Sequence, residues 1–272
     1  MMNAIIRLEN GLFKYGEQTI FSDISLTVAK GEIICVLGAN GCGKTTLLRC
    51  LNGTLRLKKG SVFLQEKDIH TISVIEIARK MGFVFQEHSA PFPFTVIEVV
   101  RMGRTPYLGL FSSPSANDTI IAEEALRTVG MSHLRNKPYT QISGGERQLV
   151  LIARTLTQHP EVILLDEPTS HLDFRNQTIV LQMVSRLAET GIAVIMTSHL
   201  PDHALLYSSR VVLMKDGGFL AVGKPEDVMT EESLKQIYGI EVKIVTVNDP
   251  DTHGIVKLVI PRRNAAVTGK KI

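Results

Sequence analysis

The chain has 272 residues, 44% apolar and 21% charged, a balance that supports a sizeable core and excludes disorder, collagen and a disulfide scaffold. Its 30 Lys and Arg against 27 Asp and Glu leave a net charge of +3, too small to argue for nucleic acid or anionic lipid. The purely apolar runs, such as 162–165 and 193–196, fall well short of the roughly 20 residues of a membrane helix, and no export signal is read at the start of the sequence.

In chain order, residues 5–8, 20–28 and 61–64 are strand-like with turn residues between, and predict an antiparallel layer. Residues 33–37 form an apolar strand ending at Gly38, followed by a Gly-rich turn and by 44–51 with helical apolar spacing. A further buried strand is expected at 81–85. From about 87 to 160 a loop containing Pro91-Phe92-Pro93-Phe94 leads into helical stretches. There Ile121, Ala122, Ala125, Leu126 and Val129 share one face, with Gly130 as a C-terminal cap. Buried strands return at 162–165 and 192–197, and Asp216-Gly217-Gly218 predicts a hairpin turn. The section after 240 is mixed in character, and its basic end, with Arg262-Arg263 and Lys270-Lys271, reads as a solvated tail. Strands alternating with helices define an α/β fold with a largely parallel sheet, an N-terminal antiparallel β layer and an inserted helical subdomain. The expected organisation is one domain over 1–240, with 87–160 inserted, and a short extension over 241–272.

Gly38-Ala39-Asn40-Gly41-Cys42-Gly43-Lys44-Thr45 matches the spacing of a P-loop and lies between a predicted strand and a helix, as it must. The glycines let successive backbone N–H groups point at phosphate oxygens, and the following helix N-terminus adds dipole charge. Lys44 supplies a cation to the β- and γ-phosphates and the Thr45 hydroxyl suits Mg2+, with Thr46 next in the same turn. Residues 161–167 read as an apolar strand ending in Asp166 and Glu167, a Walker B arrangement. Asp166 is placed for Mg2+ and Glu167 for the water attacking the γ-phosphorus. Ser143-Gly144-Gly145 at a second helix start forms a second anion-binding site. One chain needs one triphosphate cradle, so the second is expected to grip a nucleotide held by another copy. The cysteines, Cys35, Cys42 and Cys50, read as reduced cytosolic thiols, with Cys42 inside the P-loop. His199 and His203 are four apart, but Pro201 intervenes and no third ligand is near, so no metal site is expected there.

These ordered motifs resemble the ATP-binding subunits of ABC transporters over roughly residues 4–240. Residues 142–146 match the family's signature motif, with Ile142 for the more usual Leu and Glu146 for the more usual Gln. By that resemblance Tyr15 stacks on adenine, Gln86 is the Q-loop glutamine contacting Mg2+ and attacking water, Asp173 closes the D-loop, and His199 is the switch histidine on the γ-phosphate. The fold implied is the ABC-type P-loop NTPase core, and the activity is ATP hydrolysis coupled to transport. By the same resemblance, two copies are expected to close head to tail on ATP, dock on two transmembrane permease subunits at the cytoplasmic face of the membrane, and work with an extracytoplasmic substrate-binding protein. No nucleic acid is implied. Pro91, Phe92, Phe94, Val96, Ile97, Val99 and Val100 are apolar enough to face a permease or to pack the helical subdomain's own core, with Phe92 and Phe94 the interface candidates. Residues 101–106, the spacing of Asp173 to Gln177 and the section after Tyr238-Gly239 resemble importers of iron–siderophore, haem, cobalamin and molybdate. A non-transport ATPase of the same kind is the alternative.

Overall fold

The structure is a computed structural model that describes residues 4–85, 93–109, 112–248 and 255–262. Alternating apolar and polar residues make two long N-terminal strands, β1 (Ala4–Tyr15) and β2 (Gln18–Ala29), paired antiparallel. β3 (Ile33–Leu37) follows with all five residues buried, and the P-loop turn leads into helix α1 (Lys44–Leu51). β4 (Lys59–Leu64) and β5 (Lys67–Asp68) complete a four-stranded antiparallel sheet of order β2-β1-β4-β5. Helix α2 (Val74–Lys80), capped by the Ser73 hydroxyl, runs into β6 (Met81–Val84).

Helices α3 (Val96–Arg101), α4 (Ala116–Thr128) and α5 (Gly144–Leu156) come next, each opened by a capping box at Thr95, Ser115 or Ser143. β7 (Val162–Leu165), α6 (Phe174–Glu189), β8 (Ala193–Ser198), α7 (Pro201–Tyr207) and β9 (Arg210–Lys215) return the chain to the main sheet. β10 (Gly218–Gly223) turns back on β9 through Asp216 and Gly217, both at positive φ. The end of the chain adds α8 (Pro225–Val228), α9 (Glu231–Tyr238) and a hairpin of β11 (Val242–Asn248) and β12 (Ile255–Pro261).

The main sheet has the order β10-β9-β3-β8-β7-β6, parallel throughout except for β10. Its central strands are continuous apolar runs because both faces are covered. Cys35, Leu37, Ile163, Leu165, Val194 and Met196 join a core shared with α3 to α7. Ile34, Val36, Val162, Leu164, Ala193 and Ile195 point the other way, into a core closed by the antiparallel sheet and α1. This period-two split holds two layers on one sheet, and each fully buried aliphatic side chain stabilises by about 2 kcal/mol. Order β3-β8-β7 sets the carboxyl ends of three strands side by side, where α/β sheets bind ligands.

The structure decides one open alternative and refines two expectations. Val96, Ile97, Val99 and Val100 are all buried in the core around α3, α4 and α5, so they pack the helical section itself and offer no surface. Phe94 is exposed, whereas Pro91 and Phe92 lie outside the described residues. The segment after 240, left without assigned structure by its mixed composition, contains the β11–β12 hairpin. The strand expected at 81–85 ends at Val84, leaving Phe85 half exposed.

The helical section is fastened by a buried ion pair. Arg104 Nε donates to Asp118 Oδ1 at 2.8 Å, Arg104 Nη1 donates to the Thr157 carbonyl at 2.7 Å, and the guanidinium lies 3.8 Å over the Tyr107 ring. One side chain thus joins the turn after α3, the start of α4 and the end of α5. Replacing Arg104 by Ala strands the Asp118 carboxylate and is expected to cost about 3 kcal/mol in urea denaturation at pH 7. Hydrogen bonds from Arg104 and Ser115 pull the Asp118 carboxyl down from 3.8 to about 2. The pair's contribution is therefore complete above the unfolded value and is lost as pH falls between those limits. The stability gap between wild type and Arg104→Ala should narrow across that window, leaving the share due to Thr157 and Tyr107, and a gap constant down to the lower limit would contradict the pairing.

Candidate nucleotide-binding and hydrolysis site

The P-loop curls from the end of β3 to the start of α1. Gly43, the N-cap of α1, has φ +105, a conformation only glycine adopts without strain, and it offers no side chain to the first-turn N–H groups. Those donors face a cavity of about 360 Å³ lined by Ile20, Asn40, Gly41, Gly43, Lys44, Thr45, Thr46 and Glu167. A second cavity of about 370 Å³ adjoins it, lined among others by Gln18, Asn40, Cys42, Asp216 and Ile237. Gly38 lines neither; a Cβ there would fall 2.5 Å from Cys42 Sγ, so its smallness serves close packing.

Lys44 is almost fully buried, 5% exposed. Its Nζ donates to the Gly38 carbonyl at 2.9 Å and the Ala39 carbonyl at 3.2 Å, and lies 3.6 Å from Glu167 Oε1. Glu167 closes β7 at a left-handed φ of +47, a strained setting of the kind that clusters at functional sites. Burial alone would raise its carboxyl, but the Ser170 hydroxyl, Lys44 and His199 together hold it below the ordinary carboxylate value, so it is ionised at neutral pH. His199 Nδ1 lies 3.4 Å from Glu167 Oε2, with the ring about half exposed. Asp166 is buried at the same strand end.

One residue of this cluster was not singled out from the sequence. Thr197, fully buried in β8, donates its hydroxyl to Asp166 Oδ1 at 2.8 Å and accepts the Glu167 N–H at 2.8 Å. It stitches the two acids of β7 to the strand that carries His199. The available signal was a hydroxyl in an otherwise apolar buried strand.

The remaining predicted residues lie elsewhere on this chain. Ser143 caps α5, accepting the Glu146 N–H at 3.3 Å while its own N–H donates to Glu146 Oε2 at 2.7 Å. Gly145 lies so close to α6 that a Cβ would sit 2.4 Å from Asn176 Cγ, which packs the signature residues onto the start of that helix. Neither Ser143 nor Gly144 nor Gly145 lines the Lys44 cavity. Asp173 caps α6 by accepting the Asn176 N–H at 2.8 Å. Tyr15 is exposed at the end of β1, edge-on to Phe13 at 4.9 Å. Gln86 lies outside the described residues. Burial pushes the His203 ring towards its neutral form, and its Nδ1 is 3.3 Å from Thr169 Oγ1.

A glycine-rich cradle with a buried lysine, facing two acids and a histidine at neighbouring strand ends, defines a P-loop nucleotide hydrolase. The sequence profile of the ABC transporter family matches residues 21–170, and the chain belongs to that family as an ABC-type ATPase. It is 37% identical over 253 residues to the iron(3+)-hydroxamate import ATP-binding protein of Bacillus subtilis, covering 93% of each. It is 36% identical to the molybdate import ATP-binding protein of Haemophilus influenzae, covering 87% of this chain and 89% of that one. Among solved structures, a transporter described as metal-chelate type, in an inward-facing conformation, matches with a TM-score of 0.86 and 32% identity, over 96% of this chain and 98% of that one. The ATP-binding cassette MJ0796, dimeric in a post-hydrolysis state with ADP and phosphate, matches with a TM-score of 0.69 and 26% identity, over 81% and 98%.

Two experiments probe the cradle. Burial raises the Cys42 thiol, with Lys44 opposing, so alkylation should be slow at neutral pH and rise about tenfold per pH unit with the thiolate fraction. ATP should protect Cys42 and its modification should block ATP binding; full ATPase activity after quantitative labelling would rule this out. Thr197→Val removes both stitches at nearly constant volume and is expected to lower kcat by at least tenfold, the scale of a misplaced catalytic group, while the protein still binds ATP. An unchanged kcat would show that the acids are placed without it.

Proposed function

We propose that the chain is the ATP-hydrolysing subunit of an importer for a metal chelate or a related cofactor or oxyanion. The observation that carries the reading is the intact hydrolytic cluster of Lys44, Glu167 and His199 in a chain matched nearly end to end by import ATPases. In this reading ATP lies over the P-loop. The first-turn N–H groups of α1, with Asn40, Gly41, Cys42, Gly43, Thr45 and Thr46, surround its phosphates, Lys44 neutralises the β- and γ-groups, and Tyr15 stacks on adenine.

Thr45 and Asp166 offer hard oxygen donors. Among the described residues no three His, Cys, Asp or Glu side chains cluster to cage a metal by themselves. Such a donor set suits Mg2+, which keeps waters and is bound largely through substrate phosphates; when bound it would neutralise charge on the phosphates. Gln86 completes this group by family resemblance. The Glu167 carboxylate, ionised and beside the cavity, takes a proton from water as the water oxygen bonds to the γ-phosphorus and the bond to ADP breaks. His199 holds the γ-phosphate opposite it.

The signature residues Ser143, Gly144 and Gly145 do not line their own chain's cavity, which supports their acting on ATP held by a second copy, with Asp173 at the same seam. The dimeric MJ0796 cassette supports a paired assembly. Among the described residues no helix is long and apolar enough to cross a membrane. In the importer reading, the path for cargo belongs to two separate transmembrane subunits, on whose cytoplasmic face the pair docks, and cargo reaches them from an extracytoplasmic binding protein. The domain reading stands with this: an ATPase domain over 1–240 with 87–160 as a helical insert, and an extension from 241.

Glu167→Gln keeps the shape of the site but removes the base. Turnover should fall by about 10²–10⁴-fold with ATP affinity retained, and light scattering should show an ATP-stabilised dimer. Near-normal turnover would remove Glu167 from its role. Reconstituted with its membrane partners, the ATPase should respond to binding proteins loaded with ferric chelates, corrinoids or molybdate, and indifference to all of them would overturn the importer assignment.

A further inference from the structure

Helix α7 starts directly after the His199 loop and packs on the core through Ala204, with Leu205 and Tyr207 partly buried against it. It has seven residues, its N-cap Leu200 makes no side-chain cap, and Ala204 is its one buried residue. Helices this short are marginal without outside support. The His199 ring is about half exposed, so packing around the ring does little to fix its distance from Glu167.

Beyond that packing, two adjacent polar residues fix the helix from two sides. On the catalytic side, His203 Nδ1 is 3.3 Å from the hydroxyl of Thr169, a buried residue two positions beyond Glu167. On the far side, Asp202 Oδ1 accepts the Val259 backbone N–H at 2.8 Å, fastening α7 to β12. The hairpin is itself anchored. The Ile244 N–H donates to Glu231 Oε1 on α9 at 3.1 Å, Lys235 pairs with Glu241 at 2.5 Å, and the Arg262 N–H donates to the Glu241 carbonyl at 2.8 Å. Helix α9 in turn reaches the P-loop, since Ile237 lines the cavity that Asn40, Gly41 and Cys42 also line. A continuous set of contacts therefore runs from α9, which borders the P-loop cavity, through the hairpin to α7 and on to the loop bearing Glu167.

We propose that Asp202 and His203 are positioning residues for ATP hydrolysis, pinning α7 between the C-terminal hairpin and the Glu167–Thr169 loop so that His199 is held against Glu167. The inference rests on the roles given above to Glu167 and His199. It assigns the chain's C-terminal hairpin a part in turnover: it is the fixed wall against which the histidine helix is set.

The test is steady-state ATPase kinetics of the full-length protein with thermal unfolding run in parallel. Asp202→Ala and His203→Ala should each lower kcat by about tenfold, the scale of a misplaced catalytic group. The KM for ATP should stay within about twofold, because no P-loop residue makes these contacts. Asp202→Asn keeps an oxygen to accept the Val259 N–H and should restore most of the rate. Val259→Pro deletes that N–H from the opposite strand; it should reproduce the Asp202→Ala loss and add nothing to it in the double variant. If Val259→Pro fails to fold, the Ala and Asn variants at Asp202 decide alone. Full kcat in Asp202→Ala, an equal loss in Asp202→Asn, or a loss that tracks Tm and KM together would overturn the proposal. Full kcat in Asp202→Ala beside an inactive Glu167→Gln would overturn the positioning roles alone. An active Glu167→Gln would remove the catalytic reading beneath them.

Discussion

The structure is organised around one buried ammonium group. Lys44 is nearly sealed from solvent, and a cation in that position is costly unless its partners are fixed in advance. They come from two strands that are not neighbours: the Gly38 and Ala39 carbonyls at the end of β3, and the Glu167 carboxylate at the end of β7. Between them lies β8, which contributes Thr197 to both acids of β7 and leads to His199. Three segments far apart in the chain meet because β8 is inserted between β3 and β7. The parallel crossover topology, with helices on one face and the antiparallel sheet on the other, keeps that order rigid.

What could be read in advance follows from how far a residue's role depends on its neighbours in sequence. The strands at 33–37 and 162–165 and the helix at 44–51 have the bounds their apolar patterns imply, because burial on both faces leaves a local signature. The turn through Asp216 and Gly217 is likewise a local matter of residues that tolerate positive φ. Thr197 was invisible as a partner because its two hydrogen bonds reach back 30 and 31 residues, and one hydroxyl does not disturb an apolar strand pattern. Arg104 stood out only as part of a familiar stretch; its ion pair needs α4 folded over the turn after α3.

The C-terminal hairpin escaped for a related reason. A two-stranded ribbon has little stability of its own; β11 and β12 are kept in place by Val242, Ile244 and Val259 packing on the core and by hydrogen bonds from the Ile244 and Val259 N–H groups to α9 and α7. The hydrogen bonds leave no mark on hydropathy, and three apolar side chains spread over two short strands leave only a weak one. The apolar residues of α3 were ambiguous for the opposite reason, since Val96, Ile97, Val99 and Val100 would look the same facing a partner or a core. The arrangement of α4 and α5 around them settles it.

The second anion site illustrates how one motif carries a local duty and a remote one. Within the chain, Ser143 and Glu146 satisfy each other as a capping box, and the Ser143 backbone and side-chain donors hold the Glu146 carboxyl below its ordinary value. That charge sits stably where the helix N-terminus concentrates unpaired N–H groups, the environment that also suits a phosphate. Gly145 seats this N-terminus against Asn176, and Gly144 lies beside Leu172, so the signature and the loop that starts α6 form one packed unit. That loop is tied to the Glu167 carboxylate, the base in the proposed reaction, by the bond from the Ser170 hydroxyl. The chain therefore joins the exposed N-terminus of α5 to Glu167 through a few side chains. A phosphate gripped from across a dimer seam would act on Glu167 through contacts already made.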